Sequence, residues 1–261
     1  MNEKGPELGQ NEEKNENTEE KKFNSKELFD YLINFGFENW KNKPDFEREL
    51  EQAGVEKENV ELAEKMMTCI TLVNKLVFQD QVELAFSASK EKTGNFIQYI
   101  PEKEKQNEAY WINVDYFGDT IREIIKENRK VFLDENGKLL KLKDEKEAHS
   151  VSFEELILGI AIHEVRHRLQ YKRDIKMIGR GDKVLCDGIY IDDEFINLQD
   201  SFIKGQKFKR KKDHDTHKEF YDRKKSKEEI DAVIVEKIAV SRLHHKQTSL
   251  EQLKELVTIE P

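Results

Sequence analysis

The chain has 261 residues, 36% of them hydrophobic and 38% charged, with a net charge of −9 and a mean hydropathy of −0.84. This supports one packed core with solvated tails, and the acidic balance argues against general binding to nucleic acid or anionic membranes. No apolar run reaches membrane-spanning length and no signal-peptide core appears near the start, so cytoplasmic residence without a membrane contact is expected.

Residues 1–22 are Asn, Glu and Lys with almost nothing apolar, the composition of a disordered acidic tail. A helical region follows over 23–80. Asn24 and Glu27 have capping-box spacing ahead of Leu28, Phe29, Tyr31, Leu32 and Phe35. Phe46–Gln52 and Glu56–Phe78 continue as helices, the second with Leu62, Met66, Ile70, Val73 and Val77 along one side as core or partner surface. Cys69 in that helix reads as a packed small hydrophobe. The other cysteine, Cys186, is too distant to suggest a disulfide framework or a cysteine-rich zinc module.

The period then changes. Val82–Phe86, Asn95–Ile100 and Tyr110–Val114 are short runs of branched and aromatic residues, which predict a small antiparallel sheet. A helix is expected over 116–128, and Val131–Leu142, with Asn136-Gly137 in its middle, predicts a hairpin.

Ser152 and Glu155 repeat the capping-box spacing, and Phe153, Leu156, Ile157, Ile160, Ala161, Val165 and Leu169 follow at helical intervals. Inside this helix lies His163-Glu164-Val165-Arg166-His167. Two histidines four apart are separated by only about 40° around a helix axis, so both imidazoles can bind one metal. Glu164 beside them is placed to act as a general base. The plainer reading is a pair of histidines that happen to flank a glutamate. The buried helix favours the metal, and the expected ion is zinc.

A catalytic zinc takes three protein ligands, so one more must come from elsewhere. The extension of the motif to Gly and a third His fails, because Gln170 and Arg173 occupy those positions; a metzincin site is excluded. A di-iron bundle needs two Glu-x-x-His motifs, and Glu164–His167 is the single instance. Residues 172–226 form a long charged insertion, with a dense basic run at 204–212. It reads as a solvated loop, with the basic run a candidate for a local nucleic-acid or acidic-partner contact. Asp182, His214 and His217 within it are candidate ligands. Tyr221, His217 and His244 are candidates for stabilising an oxyanion.

The segments His163–Gln170 (HEVRHRLQ) and Glu228–Glu236 (EEIDAVIVE) together resemble the gluzincin metallopeptidases, in particular short intracellular ones such as the repressor-cleaving enzymes of bacterial mobile elements. The resemblance implies His163, His167 and Glu229 as zinc ligands and Glu164 as catalytic base. It also implies an α+β, zincin-like fold over 81–258, with a small antiparallel sheet packed on the active-site helix and a second, ligand-bearing helix. Hydrolysis of peptide bonds in a protein or peptide substrate is the implied activity; a zincin-like domain that has lost catalysis and acts as a sensor or binding module is the alternative. Along the second helix Glu229, Ala232, Val233, Glu236 and Val240 share one face, while Glu228 and Asp231 fall off it. Val233 stands where many gluzincins carry an acid or asparagine, so support for a ligand histidine is expected from Glu236 or Asp231. In that family an edge strand takes the substrate as an extra strand, and Tyr110–Val114 is the candidate edge. An internal position for that run is the equal alternative.

Overall fold

The computed structural model describes residues 21–36, 43–88, 97–102, 107–126, 130–131, 149–173, 175–177, 184–186, 189–191 and 227–260. The fold is α+β. In chain order come α1 (Ser25–Gly36), α2 (Lys43–Gln52), α3 (Lys57–Phe78), β1 (Glu83–Ser87), β2 (Ile97–Ile100), β3 (Ala109–Asn113) and α4 (Val114–Lys126). Two-residue strands β4 (Lys130–Val131) and β5 (His149–Ser150) pair with each other. They are followed by α5 (Phe153–Lys172), the antiparallel pair β6 (Val184–Cys186) and β7 (Ile189–Ile191), α6 (Lys227–His245) and α7 (Leu250–Thr258). The acidic tail, the Asn136-Gly137 turn and most of 172–226, including Asp182, His214, His217 and Tyr221, lie outside the described residues.

Local chemistry sets the helix starts. Asn24 Oδ1 accepts from the Glu27 N–H at 2.9 Å while Glu27 Oε2 accepts from the Asn24 N–H at 3.0 Å. Ser152 and Glu155 do the same for α5, and Ser249 and Gln252 for α7. Asn113 Oδ1 accepts from the Tyr116 N–H, so α4 starts directly off β3 at Val114, two residues before the predicted position. α3 stops at Gln79, which takes φ 60° and returns its N–H to Lys75 O. The α3 stripe is core: Met66, Ile70, Val73 and Val77 are buried and Leu62 packs partly buried against them, with Cys69 buried as well.

The sheet corrects one expectation and decides between two others. It is mixed, not antiparallel: β1 runs parallel to β3, β2 antiparallel to it, and the order is β1-β3-β2. The Tyr110 run is therefore the central strand and not an edge. Burial explains the placement, because Ala109, Tyr110, Ile112 and Asn113 are buried on both faces, whereas β1 and β2 are half-exposed and suit the flanks.

α5 is the hub. It packs on α3 and α6 and touches α1, α7 and β2, so the helical segment from Phe23 and the histidine helix share one core. Leu156, Ile157, Leu158, Ile160, Ala161, Ile162, Val165 and Leu169 are buried around its whole circumference. No helix among the described residues is long and apolar enough to cross a membrane.

Candidate metal centre

Helix spacing puts His163 and His167 on the side of α5 that meets α6, and Glu229 comes from the first turn of α6. The two Nε2 atoms lie 3.1 Å apart. Glu229 offers Oε1 at 3.6 Å from His163 Nε2 and Oε2 at 3.2 Å from His167 Nε2. Ligand atoms about 2.0–2.1 Å from a tetrahedral zinc are separated by about 3.4 Å, and one ligand atom from each of the three residues lies within 4.8 Å of the others, a grouping that could hold a metal ion. The three residues form the one group of metal-ligating type among the described residues.

The far side of each imidazole faces an acceptor. Glu236 Oε2 is 3.2 Å from His163 Nδ1, and Gln170 Oε1 is 2.9 Å from His167 Nδ1. With protons on both Nδ1 atoms, two Nε2 lone pairs and a carboxylate converge. Three electron-rich groups at this range call for a cation. Burial alone would lower the His163 pKa, but Glu236, Glu229 and Glu164 outweigh it and push it up to about 9. Burial would likewise raise Glu236, yet Lys237 and His163 beside it hold its carboxyl well below the usual range.

Glu164 is buried, with 5% of its surface exposed. The Tyr99 backbone in β2 hydrogen-bonds it, while Oε2 has no hydrogen-bond partner. Burial raises its pKa. A carboxyl group so placed is a stronger base than one in water. Tyr99 is itself fixed, its hydroxyl donating to Glu108 Oε1 at 2.6 Å, and Glu108 is gripped by Arg168 at 2.8 and 2.9 Å. Arg168 also binds Asp80 and Asn74 and lies over the Phe78 ring.

Gly159 lets the two ligand helices approach. A Cβ there would stand 2.6 Å from Val240 Cγ2 and 3.4 Å from Glu236 Cγ. Valine is stiff at χ1, so relief must come from moving α6. Gly159→Ala is expected to destabilise the fold by about 1–2 kcal/mol, since overpacking outweighs the gain in helix propensity. It should also weaken metal binding by displacing Glu229 and Glu236. Urea denaturation and zinc titration of the same variant check both, and unchanged zinc affinity would show that the helix spacing does not govern the site.

The structure thus brings together His163, Glu164, His167 and Glu229, with Glu236 behind His163. His244 is not among them: its Nδ1 contacts Glu155 at 3.1 Å, at the opposite end of α5, which removes it as an oxyanion stabiliser. Asp231 meets the histidines indirectly. Arg166 Nε and Nη2 bind it at 2.7 and 3.0 Å, Gln170 Nε2 binds it at 2.7 Å, and Arg166 Nη1 donates to Val257 O at 2.9 Å. Arg166 and Asp231 are both fully buried. Sequence reasoning missed the roles of Arg166 and Gln170, whose partner lies 65 and 61 positions away. A fully buried arginine on an apolar helix needs a distant acid, and Asp231, off the ligand face of α6, was the available signal.

Compared with protein-family models, with curated proteins and with solved structures, the chain matches none.

Proposed function

We propose that the chain is a zinc-dependent metallopeptidase of gluzincin type, with His163, His167 and Glu229 as ligands and Glu164 as general base. The carrying observation is the convergence of two imidazole nitrogens and a carboxylate beside a buried glutamate with an unpartnered oxygen. When bound there, zinc supplies Lewis acidity, acidifying water and polarising a substrate carbonyl. Glu164 accepts the proton at its free Oε2 and delivers it to the leaving amine nitrogen. Gln170 holds the His167 imidazole with its Nε2 lone pair toward the site, and the Glu236 carboxylate stands 3.2 Å from His163 Nδ1 as a neighbouring negative charge.

In this reading β2 takes the part first given to β3. It is a flanking strand, it packs on α5, and its Tyr99 backbone touches the base, so an extended peptide pairing along it would pass the site. The substrate is a protein or peptide, and the zincin-like arrangement and cytoplasmic residence are part of the proposal. The alternative, an inactive sensor or binding module, leaves Glu164 unexplained. Burying a carboxylate oxygen without a partner costs stability, and a purely structural metal site has no use for it.

Metal analysis tests the reading. The purified chain is expected to hold one zinc, and His163→Ala and Glu229→Ala each to lose it. Zinc retained at full occupancy in His163→Ala sinks the site; retained in Glu229→Ala alone, it moves the third ligand elsewhere.

A further inference from the structure

Gln170 follows the second histidine by three residues on α5, and its amide makes three contacts that bear on the centre. Nε2 donates to Asp231 Oδ2 at 2.7 Å and to the Glu228 carbonyl at 2.8 Å, and Oε1 faces His167 Nδ1 at 2.9 Å. Asp231 and the Glu228 carbonyl are both acceptors, so a rotated amide would set its own oxygen against two oxygens. The orientation is chemically forced. The amide oxygen must then turn to His167, and Nδ1 must carry the imidazole proton. Asp231 cannot drift to accommodate another arrangement, because Arg166 holds both its oxygens in a fully buried pair.

We infer that Gln170 is a positioning residue with two simultaneous tasks. It locks His167 in the tautomer with a free Nε2, and it fastens α5 to the first turn of α6 at the residue before Glu229. One side chain therefore sets the direction of one ligand and the place of another. The inference rests on the metal-site reading for its consequence, though the tautomer it imposes is independent of any metal. An amide suits both tasks, since it alone among uncharged side chains of this length offers an acceptor to the imidazole and two donors to the neighbouring helix.

The test uses the full chain in two forms. In the metal-free protein at alkaline pH, 15N NMR of the histidine ring is expected to show His167 as the Nδ1–H tautomer. Gln170→Leu, which keeps the volume, should shift it toward Nε2–H. Gln170→Met, which is apolar, unbranched and of similar length, should shift it likewise and serves as second variant should Leu disturb the fold. Zinc affinity measured by chelator competition is expected to fall about 10–100-fold in Gln170→Leu. An unchanged His167 tautomer in Gln170→Leu overturns the inference, as does zinc affinity within about twofold of the parent chain. A parent chain that binds no zinc refutes the metal reading instead, and the metal-free spectrum still decides whether Gln170 sets the tautomer.

Discussion

Glu164→Gln is expected to reduce peptide hydrolysis by about 10²–10⁴-fold or more, the usual contribution of a positioned general base, while the zinc stays bound. The substitution is isosteric, and Glu164 is not one of the three proposed ligands, so His163, His167 and Glu229 keep their places. What is lost is the basic oxygen. The variant is also expected to melt no lower than the parent chain, because burial already disfavours the charge on Glu164 and its Oε2 has no partner to lose. The combination separates a catalytic residue from a structural one: activity falls while stability holds or rises. The measurement is cleavage of a denatured protein substrate beside zinc content and thermal unfolding. Activity retained with zinc present would remove Glu164 as the base, and a large drop in melting temperature would make it part of the scaffold.

The second large effect belongs to the pair behind the site. Asp231→Ala is expected to destabilise the fold by about 3–5 kcal/mol, since it strands the Arg166 guanidinium in the core with one carbonyl acceptor left. Replacing both partners, Arg166→Met with Asp231→Leu, should recover most of that loss, because two apolar side chains of similar volume leave no buried charge. Chemical denaturation of the two single variants and the double variant gives the coupling. Single-variant losses below about 1 kcal/mol would mean that water reaches the pair and that its burial is not maintained in solution.

How much of this was legible in the sequence depended on the range over which each feature acts. The capping pairs Asn24–Glu27 and Ser152–Glu155 act over three residues, and they form as read. The spacing of His163 and His167 is likewise a property of one helix. The sheet was misread because strand direction depends on contacts far along the chain: the runs themselves were visible, and an internal place for β3 stood as an equal alternative, but that β1 lies parallel to it was not legible. Glu229 came from a resemblance, and Glu236 from counting along a helix face. Arg166, Arg168 and Gln170 looked like a polar flank to the motif. Their acceptors sit on other elements, and nothing local distinguishes a solvated arginine from one enclosed by Asp231 or by Asp80 and Glu108.

The hydrogen bond from Arg166 to the carbonyl of Val257 gives α7 a stake in chemistry it never touches. That carbonyl belongs to the closing turn of the helix, where backbone acceptors have no partner within the helix itself. The guanidinium supplies the missing donor and at the same time steadies the acid that steadies Gln170. Fraying at that end would therefore propagate inward along a chain of four polar groups to the imidazole of His167. The molecule thus ties the imidazole of His167, a ligand of the proposed metal centre, to the integrity of its last described helix, much as a latch holds only while its strike plate is in place.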